Sequence, residues 1–209
     1  MRTKTLLLTA ALSAVGLSTS MAQVFSVNAV GFVTVDVPKG LSMIANPLVA
    51  PTNTISALFA SAADGTTIYK YDGTSFSINT LDLGEWGNPN DTLVPGEGAF
   101  ISNASAASFP VTFVGEVKQG SLSHSVPKNL SIQSSEVPQS GKVATDLGFP
   151  ASDGDTIYQY DNASKAYVIH VLDLGEWSGG EPVPKVGESF FVRKVDTKPW
   201  TRTFSVNTP

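Results

Sequence analysis

Hydrophobic and polar residues alternate along most of this chain in short runs, which is the pattern of half-buried β-strands. Such runs lie at 30–37, 67–71, 98–102, 168–174, 190–193 and 202–206. Thirteen prolines and eighteen glycines separate the runs and argue against long helices. The pattern therefore predicts an all-β fold.

One stretch has helical spacing instead. Residues 54–60 (TISALFA) place Ile55, Leu58 and Phe59 on one side of a helical turn. The matching stretch later in the chain, 142–149, keeps two apolar residues at its end. We expect one short helical turn in each half of the protein.

The sequence contains an internal duplication. Residues 64–72 (DGTTIYKYD) return as 153–161 (DGDTIYQYD), and LDLGEW occurs at both 81–86 and 172–177. The period is 89 residues through the first block and 91 through the second, so the second copy has two extra residues between the blocks. Such an insertion indicates a hairpin tip. We predict two tandem, homologous β-sandwich or barrel-like lobes of about 90 residues.

A third repeated segment lies at the boundaries of the copies. FSVN occurs at 25–28 and at 204–207, and FVGE at 113–116 lies between them. We expect the middle segment to end the first repeat and begin the second, with Phe204 taking the position of Phe113. The predicted division is a repeat at 23–115 and another at 116–209.

The first 22 residues have the features of an export signal. Arg2 and Lys4 precede an apolar run at 6–17, and Ser20 and Ala22 suit cleavage before Gln23. We therefore expect a secreted or cell-surface protein. The apolar run is too short to span a membrane, so we expect no integral membrane segment.

Charge and composition narrow the choice of partners. Eleven basic and eighteen acidic residues follow the signal, a net charge of −7 that argues against nucleic acid as a partner. The chain has no cysteine, so packing rather than disulfides must stabilise the exported protein. It also has no nucleophile elbow, phosphate loop or metal-ligand spacing, and we expect no cofactor and no metal site.

Two segments carry a resemblance. Residues 40–47 (GLSMIANP) and 94–101 (VPGEGAFI), with the Tyr-Asp strand between them, are similar to small extracellular bacterial β modules of the GWNLI…PGKGYW type. With LDLGEW in each half, the chain resembles duplicated secreted bacterial β-repeat proteins. That resemblance implies a β fold and brings no established activity. Leu41 stands where those modules have Trp, and copy two has Ser135 and Glu136 where copy one has Asn46 and Pro47.

Ten acidic residues recur in both copies: Asp64, Asp72, Asp82, Glu85 and Glu97, and Asp153, Asp161, Asp173, Glu176 and Glu188. One interpretation is a glycosidase-like carboxyl pair, Asp82 with Glu85. The interpretation that we favour is turn chemistry, in which carboxylates accept bonds from nearby backbone amides. A third is calcium binding by the DGD at 153–155 and the NPND at 88–91.

Repeated aromatic residues are the candidate ligand-binding residues. Those that recur are Tyr69, Tyr71, Trp86, Tyr158, Tyr160 and Trp177. Their rings could stack on sugars, or they could fill the cores of the lobes. Tyr69 and Tyr71 are two apart on one strand, so they share a face that is either a surface or the interface between the lobes.

These observations favour a non-catalytic structural or adhesive component of the cell surface or extracellular matrix. Its partners would be a second copy of itself or a surface polysaccharide. The alternative is a carbohydrate-binding protein that uses the six aromatic residues, and the third is a glycoside-active enzyme.

Overall fold

The computed structural model describes residues 29–207, and these form an all-β protein of two lobes. The elements of the first lobe are β1 (Val30–Val37), β2 (Gly40–Ile44), α1 (Ile55–Leu58), β3 (Thr67–Tyr71), β4 (Phe76–Asp82), β5 (Glu85–Trp86), β6 (Ala99–Asn103) and β7 (Phe109–Glu116). Those of the second are β8 (Gly120–Val126), β9 (Asn129–Gln133), β10 (Thr156–Asp161), β11 (Ala166–Asp173), β12 (Glu176–Trp177), β13 (Phe190–Lys194) and β14 (Lys198–Phe204). The predicted fold class is confirmed. The predicted signal at 1–22 and the segment 25–28 lie outside the described residues.

The two lobes have the same topology. Each contains one five-stranded antiparallel sheet, in the order β2-β6-β3-β4-β5 or β9-β13-β10-β11-β12, and one two-stranded sheet, β1-β7 or β8-β14. The first strand of each lobe leads into the second through a Pro-Lys corner. That second strand begins at a residue with left-handed backbone, Gly40 (φ 83°) or Asn129 (φ 71°), so the corner turns in the same way twice.

Each lobe encloses its own apolar core between its two sheets. In the first lobe, Val37 and Phe113 of the two-stranded sheet pack against Ile68 and Ile101 of the larger sheet, and Phe59 beside α1 closes the end. The second lobe repeats this with a cluster that includes Trp200. There, the predicted helical turn has helix-type bonds, such as Asp146 N–H to Lys142 O (2.9 Å), without forming an α-helix.

The lobes pack on each other through the outer faces of the two five-stranded sheets. Strand β2 lies on β10, and β3 lies on β9. Two equivalent hydrogen bonds cross the interface, Ala45 N–H to Gly187 O (2.8 Å) and Ser134 N–H to Gly96 O (3.0 Å). Ala45 and Ser134 are equivalent residues, and so are Gly96 and Gly187. Each lobe therefore donates one of the two bonds and accepts the other, which relates the lobes by an approximate twofold axis.

The overlap between the two sheets is incomplete. The main strand contacts between the lobes join β2 to β10 and β3 to β9, and β4 reaches the other lobe at Phe76, whose ring centre lies 6.3 Å from that of Phe191. The rest of β4 and β5 lie beyond the overlap on one side, and β11 and β12 lie beyond it on the other. The protein is therefore a staggered pair of sheets with an overhang at each end.

The junction between the repeats differs from the prediction in two ways. Strand β7, which contains 113–116, pairs with β1 alone among the described strands, so this segment ends the first lobe and β8 begins the second. In the first lobe, Phe113 pairs with Val33. In the second lobe, the residue equivalent to Val33 is Leu122, and it pairs with Arg202. Phe204 therefore matches Gly115 and not Phe113. The cause is the connection from β13 to β14 (195–197), which is two residues shorter than that from β6 to β7 (104–108).

The predicted hairpin insertion is confirmed. Strands β3 and β4 end in the pair Tyr71–Phe76, whereas β10 and β11 continue by one more pair, Asp161–Ala166, before a loop of the same length. The hairpin of the second lobe is thus longer, and its loop at 162–165 reaches β2 of the first lobe.

Candidate functional site

Most of the repeated acids bond to the backbone of turns. Asp72 Oδ1 accepts the N–H groups of Thr74 and Ser75, both at 2.8 Å. Asp161 does the same in the second lobe, with bonds from Ala163 (2.8 Å) and Ser164 (3.1 Å). These backbone bonds hold the pKa of each carboxyl below its ordinary value, because they stabilise the charged form.

The same chemistry recurs at two further pairs of turns. Asp64 accepts the N–H of Gly84 (2.9 Å), and Asp153 accepts that of Gly175 (2.8 Å). Glu97 and Glu188 each accept the N–H of the residue three positions earlier, at 3.0 and 2.9 Å. For six of the ten repeated acids, the turn interpretation is therefore what the hydrogen bonds show.

The remaining four acids lie at the base of two hairpin tips. Asp82 pairs with Glu85 across a two-residue turn of Leu83 and Gly84, and all four residues are exposed. Leu83 has left-handed backbone (φ 49°) and is 88% exposed. The acids of the LDLGEW segment suggested a carboxyl pair, but the unusual residue of the segment is its second leucine, Leu83.

The second lobe repeats this hairpin tip. Asp173 pairs with Glu176, and Leu174 between them has φ 49° and is 87% exposed. Both turns require positive φ at two consecutive residues, for which Asn-Gly is the preferred sequence. Leucine is therefore an unfavourable choice at a position that occurs twice.

All six candidate aromatic residues are buried or half-buried within the apolar clusters of the two lobes and of the interface between them. Tyr69, Tyr71, Tyr158 and Tyr160 come together at the interface between the lobes. Tyr71 contacts Phe191 edge-on with ring centres 5.7 Å apart, and burial raises the pKa of Tyr160. The sequence left open whether the face of Tyr69 and Tyr71 is a free surface or the interface between the lobes, and the structure shows that it is the interface.

The two tryptophans are separate from the tyrosines. Trp86 is 7% exposed in the core of the first lobe, where its ring centre lies 6.3 Å from that of Phe59. Trp177 is half-buried against the core of the second lobe. Sugar binding by the six aromatic residues stays a prediction, and the structure does not bring them together in one site.

Two related clefts open where the lobes meet. The first, of about 350 Å³, is lined by Tyr71, Asp72, Glu97, His124 and Gln133, among others. The second, of about 620 Å³, is lined by the equivalent Tyr160, Asp161 and Glu188, with Val35 at the position of His124. The approximate twofold relationship thus gives two clefts with the same framework and different polar groups.

A triad of ionisable residues that occurs in one repeat only lies beside the first cleft. Glu136 is 5% exposed; its Oε1 forms an ion pair with Lys118 Nζ, and its Oε2 lies 3.2 Å from His124 Nδ1, outside hydrogen-bond geometry. The equivalent residues of the first repeat are Ala29, Val35 and Pro47. Sequence reasoning missed this triad. Its signal was three ionisable residues in one copy at positions that the other copy fills with apolar residues.

The candidate calcium ligands contact protein groups. Asp155 is completely buried, forms an ion pair with the equally buried Lys194, and accepts the N–H groups of Ser152 (2.8 Å) and Val195 (2.9 Å). Asp91 accepts a bond from Asn79 at 3.3 Å. Within residues 29–207, no cluster of three or more His, Asp or Glu side chains is arranged to hold a metal ion.

Comparisons of the chain with protein-family models, with curated proteins and with solved structures found no match. The resemblance to duplicated secreted β-repeat proteins therefore stays a prediction. Among the described residues, no helix is long and apolar enough to cross a membrane.

Proposed function

We propose that the protein is an exported, non-catalytic structural or adhesive component of the cell surface or extracellular matrix, and that its two hairpin tips are attachment points. The observation that carries this proposal is the pair of leucines, Leu83 and Leu174, each nearly fully exposed on left-handed backbone.

A leucine in this conformation is unfavourable for the folded protein alone. Left-handed backbone costs roughly 1–2 kcal/mol for a residue with a Cβ, and asparagine and glycine avoid much of that cost. At such exposure, the side chains of Leu83 and Leu174 gain almost nothing from burial in return. Strained residues of this kind concentrate at functional positions, so a contact with another molecule explains why both lobes have leucine there.

The surroundings of the tips define the partner. Asp82 and Glu85 flank the first leucine, and Asp173 and Glu176 flank the second. The complementary surface is a protein socket that is apolar at its centre and basic at its rim, because a rim of opposite charge favours the encounter. Two tips on one molecule allow bivalent attachment, which raises the overall affinity above that of either tip.

The repeated acids support a role without catalysis. Six of the ten are engaged by backbone N–H groups in matching turns of both lobes, the arrangement expected of residues that maintain a fold. A duplicated fold in which both copies keep the same acids for the same turns needs no shared catalytic pair.

The test is retention of the purified protein, without residues 1–22, on the envelope fraction of the cells that produce it. We expect the wild-type protein to sediment with the envelope and the Leu83→Asn/Leu174→Asn variant to stay in solution, with each single variant between them. The control is Val183→Asn, which removes another exposed apolar side chain from a loop and should not affect retention. Equal retention of the double variant and the wild-type protein, or no retention of either, would contradict the proposal.

A second candidate function is carbohydrate binding in the two clefts. It is favoured by one observation, the equivalent placement of Tyr71 beside Asp72 and of Tyr160 beside Asp161 in the two cleft walls. A tyrosine ring next to a carboxylate suits a sugar face and its hydroxyls. Gln133 lines the first cleft and Gln159 lines the second. Specific signals on a glycan array that disappear in the Gln133→Ala or Gln159→Ala variant would support this function over attachment by the tips.

A further inference from the structure

The two overhangs of the staggered sheets expose apolar side chains on the faces that the other lobe leaves uncovered. In the first lobe, β4 presents Ile78, which is 60% exposed, and Phe76, which is 43% exposed and lies at the margin of the contact with the other lobe. In the second lobe, β11 presents Tyr167, Ile169 and Val171, and Ile169 is 54% exposed. Ile78 pairs with Tyr69 and Ile169 pairs with Tyr158, so both lie on the face that forms the interface between the lobes.

Each overhang continues the aromatic cluster of that interface. The ring of Phe76 lies 6.3 Å from Phe100 and 6.3 Å from Phe191, both in the cluster. The ring of Tyr167 lies 5.1 Å from Tyr160. The internal interface therefore extends into solvent at two places with the same chemistry that holds the lobes together. A contiguous apolar surface of this kind marks an interaction site.

We infer that the occupant of each overhang is a second copy of this chain. The first-lobe overhang of one molecule packs on the second-lobe overhang of the next, which repeats between molecules the pairing that already exists within each one. The stagger supports this, because β4 and β5 extend past the edge strand β9 and leave a step in the layer of the second lobe, where β11 and β12 of a neighbour fit.

The contact is head-to-tail. Each molecule uses a different face toward each neighbour, and such heterologous contacts produce open filaments when the rotation between copies does not close a ring. The product is a ribbon two sheets thick. In it, the exposed apolar side chains of β4 and β11 become interior residues.

This inference rests on the proposed structural role and adds a partner to it. The hairpin tips at Leu83 and Leu174 are turn residues outside the faces of the overhangs, so assembly and attachment can fail separately. Equal envelope retention of the tip variant and the wild-type protein would contradict attachment by the tips and would leave the present inference standing. Lost retention in the tip variant, together with a wild-type protein that does not assemble, would contradict the present inference and leave the proposed function standing.

The experiment uses two complementary variants of the full exported protein, Ile78→Arg and Ile169→Arg. Each introduces a charge into one overhang at a site exposed enough to keep the fold, which circular dichroism and thermal melting of each variant will verify. The wild-type protein should show a concentration-dependent series of oligomers in sedimentation velocity. Each variant alone should be monomeric, because each has only one of the two faces that a contact needs.

A mixture of the two variants is the decisive sample. It should form 1:1 dimers and nothing larger, because the intact second lobe of one variant can pack on the intact first lobe of the other. The matched control is Phe32→Arg, an exposed apolar residue on β1, which should assemble like the wild-type protein. A monomeric wild-type protein at every concentration, dimers of either variant alone, or a mixture that stays monomeric would each overturn the inference.

Discussion

The Asn162 side chain forms two hydrogen bonds with the backbone of Met43, in the opposite lobe. The N–H of Met43 donates to Asn162 Oδ1 at 2.9 Å, and Asn162 Nδ2 donates to the Met43 carbonyl at 3.2 Å. Met43 lies in β2, an edge strand whose outer backbone groups have no strand partner among the described strands. The amide of Asn162 thus pairs with this edge as a neighbouring strand would, and protects it from pairing with other chains.

We predict that Asn162→Ala lowers the free energy of unfolding by about 1–3 kcal/mol, because it leaves a partly buried N–H and carbonyl without partners. Asn162→Asp should also lower the free energy of unfolding, by no more than Asn162→Ala does, since a carboxylate can accept the Met43 N–H but cannot donate to the Met43 carbonyl. Urea unfolding measures both. The control is Thr74→Ala, at the tip of the equivalent hairpin of the first lobe. If Asn162→Ala is as stable as that control, the Asn162 bonds do not hold the lobes together.

The triad of ionisable residues beside the first cleft provides a second test. Glu136→Ala leaves Lys118 and His124 without their carboxylate, and the loss should be about 1–3 kcal/mol, because Lys118 is 32% exposed and water can solvate its charge. The triple variant Lys118→Ala, His124→Val and Glu136→Leu should recover most of that loss, because it approximates the apolar residues of the first repeat. Urea unfolding compares the stability of the two variants with that of the wild-type protein. A triple variant less stable than Glu136→Ala would contradict this expectation and show that the three polar side chains add net stability to the fold.

The tryptophans should differ in their contribution to stability. Trp86→Ala should lower the free energy of unfolding by about 3–5 kcal/mol, since Trp86 fills the core of the first lobe beside Phe59. Trp177→Ala should cost less, because Trp177 is only half-buried. Thermal and urea unfolding compare the two. Unchanged stability in Trp86→Ala, accompanied by lost glycan signals, would favour the carbohydrate-binding alternative.

The repeated turn carboxylates predict how stability depends on pH. Bonds from Ser75 and then Thr74 lower the pKa of Asp72 from its ordinary 3.8, and bonds from Ser164 and Ala163 do so for Asp161. The folded protein therefore binds fewer protons than the unfolded chain in this range. The resulting stabilisation is complete above the ordinary pKa and is lost as pH falls through the lower folded pKa.

Melting temperatures measured from neutral pH to about pH 2 test this prediction, since that window spans the ordinary carboxyl pKa values. The Asp72→Asn/Asp161→Asn variant keeps the acceptor oxygens and removes the titrating groups. It should lose less stability on acidification than the wild-type protein. Identical acid profiles for the two proteins would contradict the role assigned to these carboxylates.

The duplication made much of the fold predictable from the sequence. Alternation identified strands such as β1 and β3, and the two LDLGEW segments identified paired hairpins. The register of β14 was predicted wrongly because the similarity of 204–207 to 113–116 is local. Pairing is determined by the length of the preceding connection, and two fewer residues there shift Arg202 into the position of Phe113.

The candidate sites were harder to predict because they depend on contacts between distant residues. Alternation placed Tyr69 and Tyr71 on one face but left open whether that face meets solvent or the other lobe. Lys118 and Glu136 lie 18 positions apart in the chain, with no motif between them. The leucine at each tip has no sequence signal beyond its repetition, because its backbone conformation and exposure become visible only in the folded hairpin.

The central claim is that the tip leucines are retained for contact with another molecule and at a cost to the fold. The most direct measurement is the free energy of unfolding of the Leu83→Asn/Leu174→Asn variant, from urea titration of the protein at low concentration. Asparagine followed by glycine is the preferred sequence for this turn, so the account predicts that the variant is more stable than the wild-type protein by about 1 kcal/mol or more. A variant that is less stable than the wild-type protein would show that the leucines serve the fold, and would contradict the account.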